Sequence, residues 1–151
     1  MKILMVCLGN ICRSPLAEGI MKHKAAEHGL DWHVDSAGTG SWHTGELPDR
    51  RSIDIARQKG VDITYQRARQ FRASDFDEFD RIFVMDTQNL ADVLRLASTP
   101  AHREKVALIR DQTNPGRQLS VPDPYYDDNG FEEVFSMLDE ACHHFIQRHI
   151  R

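Results

Sequence analysis

Within the stretch "VCLGNICRSP" at residues 6–15, a cysteine at position 7 is followed six residues later by an arginine and then by Ser-Pro. A lone cysteine is more often an apolar filler of a strand end than a reagent, because free cysteine is among the most buried residue types. The arginine and the Ser-Pro pair point the other way. Ser14 and Pro15 suit a helix start, and a helix start carries unpaired backbone N–H groups and partial positive charge, a ready anion site. Gly9 and Asn10 tolerate the backbone angles that turn successive N–H groups of Leu8 to Ser14 inward. Arg13 can grip two oxygens of a phosphoryl group with its planar fork. The same donors and positive charge favour the thiolate of Cys7, and Ser14 can add a hydroxyl hydrogen bond. A thiolate held against the phosphorus of a bound ester is an in-line nucleophile, and a phosphocysteine intermediate follows.

Such a reaction needs a proton donor for the departing oxygen. The segment "VPDPYYDD" at 121–128 offers Asp123 between two prolines that stiffen its loop, with Tyr125 and Tyr126 alongside. General acid catalysis contributes about 10²- to 10⁴-fold. Asp127 and Asp128 are rivals for the role on composition alone.

The elements that must hold these residues follow from the pattern. "KILMVC" at 2–7 is a continuous apolar run, as expected of a strand buried on both faces of a parallel sheet. "SPLAEGIMKHKAAEHG" at 14–29 predicts a helix with Ser14 as N-cap, Pro15 at its first position, Glu18 in its first turn and Gly29 as its stop. Further strands are expected in "WHVDSAG", "DRIFVMD" and "KVALI", and further helices in "DRRSIDIARQKG" and "TQNLADVLRLA". Residues 110–130, with three prolines and two glycines, predict a loop. The clearest periodicity is last: Phe131, Val134, Phe135, Leu138, Cys142, Phe145 and Ile146 recur at spacings of three and four, the core face of a helix. Alternating strands and helices imply a three-layer α/β sandwich around a mostly parallel sheet. In such folds ligands bind beyond the carboxyl ends of the strands, where the cysteine–arginine loop lies.

A chain of 151 residues with 40% hydrophobic and 28% charged residues is expected to form a single domain, spanning 1–151. The net charge of -4, with no basic stripe, argues against a nucleic-acid coat. The apolar run from Ile3 to Leu8 is too short for a membrane span or a signal core, so a cytoplasmic protein without membrane insertion is expected. Three cysteines, Cys7, Cys12 and Cys142, are too few and too unevenly spaced for a disulfide scaffold or structural zinc. The Cys142-His143-His144 run reads as one buried cysteine beside exposed histidines. No metal and no cofactor are expected.

Together these blocks resemble the low-molecular-weight protein tyrosine phosphatases, bacterial type, along nearly the whole chain. The matching stretches are "VCLGNICRSPLAE" at 6–18, "VDSAGTGSWHTGELPDRR" at 34–51, "RARQ" at 67–70, "FDRIFVMDTQNL" at 79–90 and "DPYYDD" at 123–128. The resemblance implies a four-stranded parallel, flavodoxin-like sheet, with Cys7 as nucleophile, Arg13 as phosphate clamp and Asp123 as general acid, then base. It further implies that Asn10, Ser14 and Ser36 support the loop, and that Ile11, Trp42, Tyr125 and Tyr126 wall a cleft for an aryl ring. Cys12 is similar to the family cysteine that forms a reversible, protective disulfide with the nucleophile, a pattern that suits redox control. One departure is Gln66, in "YQRARQ", where family members usually carry histidine. Glutamine reproduces part of the hydrogen bonding and none of the charge.

Three other activities share features with this loop. Thioredoxin-coupled arsenate reductases need two further cysteines in mid-chain, and residues 13–141 contain none. Protein arginine phosphatases carry threonine where this chain has Ile11, whose apolar side chain suits an aryl ring instead. A non-catalytic phosphate-binding or redox-sensing module would be expected to have lost Cys7, Arg13 or Asp123. The expected partner is a phosphotyrosine-bearing protein; the resemblance to bacterial members suggests a tyrosine autokinase. A monomer or a weak dimer fits equally well.

Overall fold

The computed structural model describes residues 1–150. Four strands, β1 (Lys2–Cys7), β2 (His33–Gly38), β3 (Arg81–Val84) and β4 (Val106–Leu108), form one parallel sheet in the order β2-β1-β3-β4. Six α-helices accompany them: α1 (Arg13–Glu27), α2 (Arg50–Gln58), α3 (Asp75–Glu78), α4 (Thr87–Leu94), α5 (Pro100–Glu104) and α6 (Gly130–His149).

Alternate residues of the strands feed two separate cores, as a sheet covered on both faces requires. Ile3, Met5, Val34 and Phe83 pack with α1, α2 and α6 on one face. Leu4, Val6, Ala37, Ile82 and Val84 pack on the other, against Phe71, Phe76, Phe79 and Val93. This is the three-layer sandwich that the alternation of elements implies. All seven periodic residues of α6 are buried, whereas His143 and His144 are exposed. Among the described residues no helix is long and apolar enough to cross a membrane.

The N-terminus of α1 differs from its sequence expectation. The helix begins at Arg13, the N-cap position is Cys12, and no side chain caps it. Ser14 is not the cap because its hydroxyl is engaged elsewhere, by Asn10 and Cys7. Pro15 sits in the first turn, where a missing N–H costs nothing. At the far end Gly29 adopts φ 67°, and Leu30 N–H reaches back to Ala25 O at 2.8 Å, a glycine stop. Two short helices, α3 and α5, and a 3-10 turn over Ile109–Gln112 carry too few residues to show a period, and the 3-10 turn shortens the expected loop.

Order 2-1-3-4 places the β1–α1 loop at the point where successive connections leave the sheet in opposite directions. A crevice opens there beyond the strand ends. Gly38, the last residue of β2, lets the loop lie close: a Cβ there would stand 2.8 Å from Leu8 O and 3.1 Å from Asn10 N.

Candidate active site

Residues 8–12 join β1 to α1, and carbonyls along Cys7–Ile11 are tied to neighbouring segments. Thr39 N–H donates to Cys7 O at 2.9 Å, Gly40 N–H to Leu8 O at 2.9 Å and Asp49 N–H to Ile11 O at 2.7 Å. The amides of residues 8–12, by contrast, donate to no protein acceptor among the described residues. A ring of unpaired N–H groups ahead of a helix N-terminus is the geometry that holds a tetrahedral anion.

Asn10 fixes this shape. Its backbone is in the left-handed region, φ 57°, and its side chain makes three hydrogen bonds. Nδ2 donates to Ser14 Oγ at 2.7 Å and to Ser36 Oγ at 3.0 Å, while Oδ1 accepts from Arg69 N–H at 3.0 Å. Ser14 Oγ lies 3.0 Å from Cys7 Sγ. Asn10 already donates into that oxygen, so the serine hydrogen points either at sulfur or at Ala37 O, 3.4 Å away, and the sulfur is the nearer acceptor. Behind them Ser36 donates to Glu18 Oε1 at 2.7 Å, and Tyr65 OH donates to Glu18 Oε2 at 2.6 Å. Glu18 is 3% exposed, and burial pushes its carboxyl above the usual range. Gln66, the departure noted in the sequence, donates through Nε2 to Pro15 O at 3.0 Å. It contacts Tyr65 OH, and it is Tyr65 that supplies the donor to Glu18.

Arg13 is 2% exposed. Its Nη1 donates to Asp86 Oδ2 at 2.7 Å and to Val121 O at 3.0 Å. Nη2 lies 3.8 Å from Asp123 Oδ2. One side of the guanidinium is thus anchored and the other faces the crevice. Asp86, two residues beyond β3, also caps α4 by accepting from Asn89 N–H at 2.7 Å. Sequence reasoning missed it, although an aspartate closing an apolar strand ahead of a helix was a legible cap signal.

The crevice itself is a cleft of about 250 Å³. Cys7, Leu8, Gly9, Ile11, Cys12 and Arg13 form its floor, and Trp42, His43, Asp123, Tyr125 and Tyr126 rise around it. His43 was not anticipated; it hydrogen-bonds Glu46 at 3.2 Å. Asn10, Ser14 and Ser36 lie behind the floor. Trp42 is 70% exposed and Tyr126 93%, and the two tyrosine rings meet edge-on at 4.9 Å. The three acidic candidates separate clearly. Asp123 lines the cleft, Asp128 pairs with Arg51 at 2.5 Å and Asp127 accepts from Asn129 N–H at 3.0 Å. All three cysteines are free, and burial, with Asp49 and Cys7 nearby, pushes the Cys12 thiol up to about 12.

Set beside known proteins, fold and loop point to one class, the small phosphatases built on a parallel sheet. A family profile described as "Low molecular weight phosphotyrosine protein phosphatase" matches residues 2–150. The low molecular weight protein-tyrosine-phosphatase YfkJ of Bacillus subtilis is 38% identical over 95% of this chain and 92% of its own. A protein tyrosine phosphatase structure from Entamoeba histolytica superposes with a TM-score of 0.91 at 38% identity, covering 98% of this chain and 96% of that one. The structure of a Drosophila arginine phosphatase superposes equally well, TM-score 0.91 at 37% identity, covering 99% and 98%. The chain belongs to the low molecular weight phosphotyrosine protein phosphatase family.

Proposed function

We propose that this protein hydrolyses phosphotyrosine in proteins, and small aryl phosphates, through a phosphocysteine on Cys7. The observation that carries the reading is that Cys7, Arg13 and Asp123 line one cleft together with loop residues whose amides have no protein acceptor among the described residues. The phosphoryl group, carrying about -1.5 to -2 charge, would sit on the amides of the loop and on the crevice side of Arg13. The Cys7 thiolate attacks phosphorus in line, and Asp123 delivers its proton to the departing aryl oxygen. Water, deprotonated by the same Asp123, then attacks the phosphocysteine, releasing phosphate and restoring the thiolate. Ser14 supports the thiolate; Asn10 and Ser36 hold the loop.

Ile11, Trp42, Tyr125 and Tyr126 supply the apolar walls that an aryl ring packs against. The likeness to an arginine phosphatase gives a second reading substance, but an isoleucine at position 11 offers a guanidinium no hydrogen bond. Cys12 is the proposed redox partner. After peroxide oxidises Cys7 to the sulfenic acid, the Cys12 sulfur displaces water from it and closes a disulfide. A cytoplasmic phosphotyrosine protein, such as a bacterial tyrosine autokinase, is the proposed partner.

Steady-state hydrolysis of an aryl phosphate and of a phosphoarginine peptide, without added metal, tests this. Fast aryl phosphate turnover is expected, abolished in Cys7→Ser and reduced in Asp123→Ala. Preference for the phosphoarginine peptide would overturn the tyrosine assignment.

A further inference from the structure

The segment that opens α2 touches both halves of the site. Asp49 N–H donates to Ile11 O at 2.7 Å and Ser52 Oγ donates to Cys12 O at 3.3 Å, so this segment is bonded to the phosphate loop. Between them Arg51 turns towards the acid loop. Its Nε and Nη2 fork onto the Asp49 carboxylate at 3.0 and 2.9 Å, and its Nη1 donates to Asp128 Oδ1 at 2.5 Å. The guanidinium carbon lies 4.6 Å from the Phe131 ring centroid and 5.6 Å from that of Tyr125. Tyr125 and Asp128 share their loop with Asp123, and Tyr125 N–H donates to Asp123 Oδ1 at 3.0 Å. Arg51 does not line the cleft.

We propose that Arg51 is a positioning residue, bracing residues 123–131 against the phosphate loop and thereby setting the place of Asp123 over Cys7. The inference rests on the phosphatase reading above and adds to it the part that joins its two loops. Asp128 is 83% exposed, so its pair with Arg51 contributes little to stability. Orientation is what a planar cation held by two carboxylates and packed on aromatic faces provides. The acid needs it, because a general acid must stand within hydrogen-bond reach of the departing oxygen. Misplacing a catalytic group by about 1 Å costs roughly 10²-fold. Without the brace, Asp123 keeps only its bond to Tyr125 N–H and the longer approach to Arg13.

The test is kcat/KM for a series of aryl phosphates running from acidic to weakly acidic leaving phenols, because this quantity reports transfer to the cysteine, where the acid acts. Wild type, Arg51→Leu, Arg51→Lys and Asp128→Asn are compared, with thermal unfolding beside each. Arg51→Leu should lose little with the best leaving groups and about tenfold or more with the poorest, a steeper dependence on phenol acidity. Arg51→Lys, able to engage one carboxylate but not to fork, should fall between. Asp128→Asn cuts only the loop side of the brace at an exposed position, so it should fold normally and steepen the dependence in a smaller measure. An unchanged dependence in both Arg51→Leu and Asp128→Asn, or an equal loss across all leaving groups, would overturn the proposal. Turnover surviving in Cys7→Ser would instead overturn the phosphatase reading, and the proposal with it.

Discussion

Arg13 donates to Asp86 at 2.7 Å from a side chain that is 2% exposed, while Asp86 itself stays outside the cleft. The cation facing the cleft is therefore held from behind by an acid that would never meet substrate. Removing that acid leaves a buried charge without its partner, the costly way to break an ion pair. Asp86→Ala should lower stability by about 3 kcal/mol, combining a partly exposed pair with a lost helix cap. Asp86→Asn keeps the cap and should cost about 1 kcal/mol less. Urea unfolding of the two variants checks both the loss and the difference.

Arg13→Lys keeps the charge and loses the fork. A lysine cannot hold Asp86 and two phosphoryl oxygens at once. Turnover should fall by about 10²-fold or more, the scale of removing a transition-state donor. An aryl phosphate assay at saturating substrate is the check, and near wild-type turnover would deny Arg13 its role.

Asn10 combines a left-handed backbone with three side-chain hydrogen bonds. Asn10→Ala loses the bonds and adds roughly 1 kcal/mol or more of backbone strain, whereas Asn10→Gly loses only the bonds. Glycine should therefore be the more stable of the two, by thermal unfolding, while both lose activity to a similar extent. Equal stability would mean that the left-handed geometry is not retained in solution.

Much of this site was legible in sequence, and the limits were physical. The Cys7-to-Arg13 spacing and the period of α6 are local patterns, which a chain displays without its tertiary structure. On composition alone Asp123 could not be separated from Asp127 and Asp128, because all three share one polar loop; the flanking prolines and the family resemblance favoured Asp123, and it is packing that brings Asp123 to the cleft. The Arg13–Asp86, Arg51–Asp128 and Tyr65–Glu18 contacts span long sequence separations, so composition and spacing are silent about these pairings. Ser14 suits a cap by residue type, because helix starts favour serine, yet tertiary hydrogen bonds to Cys7 and Asn10 claim the hydroxyl first.

Burial raises the folded-state pKa of Glu18, with the Tyr65 and Ser36 hydroxyls opposing it. A carboxyl raised on folding binds its proton more tightly in the folded state. Folding stability is then lost as pH rises from the ordinary glutamate value, about 4.3, through the raised one. Glu18→Gln removes that loss. The stability of Glu18→Gln relative to wild type should therefore increase as pH rises through this window and level off above it. Urea unfolding across pH is the measurement; a relative stability that falls as pH rises would reverse the sign and refute the assignment.

Cys12, held up at about 12 by burial, should remain a thiol at neutral pH. Iodoacetate, which reacts with thiolates, is expected to label Cys7 first and Cys12 hardly at all, with phosphate protecting Cys7. Peptide mapping by mass spectrometry reads this directly.

The most direct measurement is to stop the reaction with an aryl phosphate by rapid acid quench and locate phosphate on the chain by mass spectrometry. Phosphate should be found on Cys7 during turnover, accumulate in a variant slowed at the hydrolytic step, and be absent in Cys7→Ser. Turnover with no phosphate on Cys7, or with phosphate on another residue, would contradict the phosphocysteine pathway.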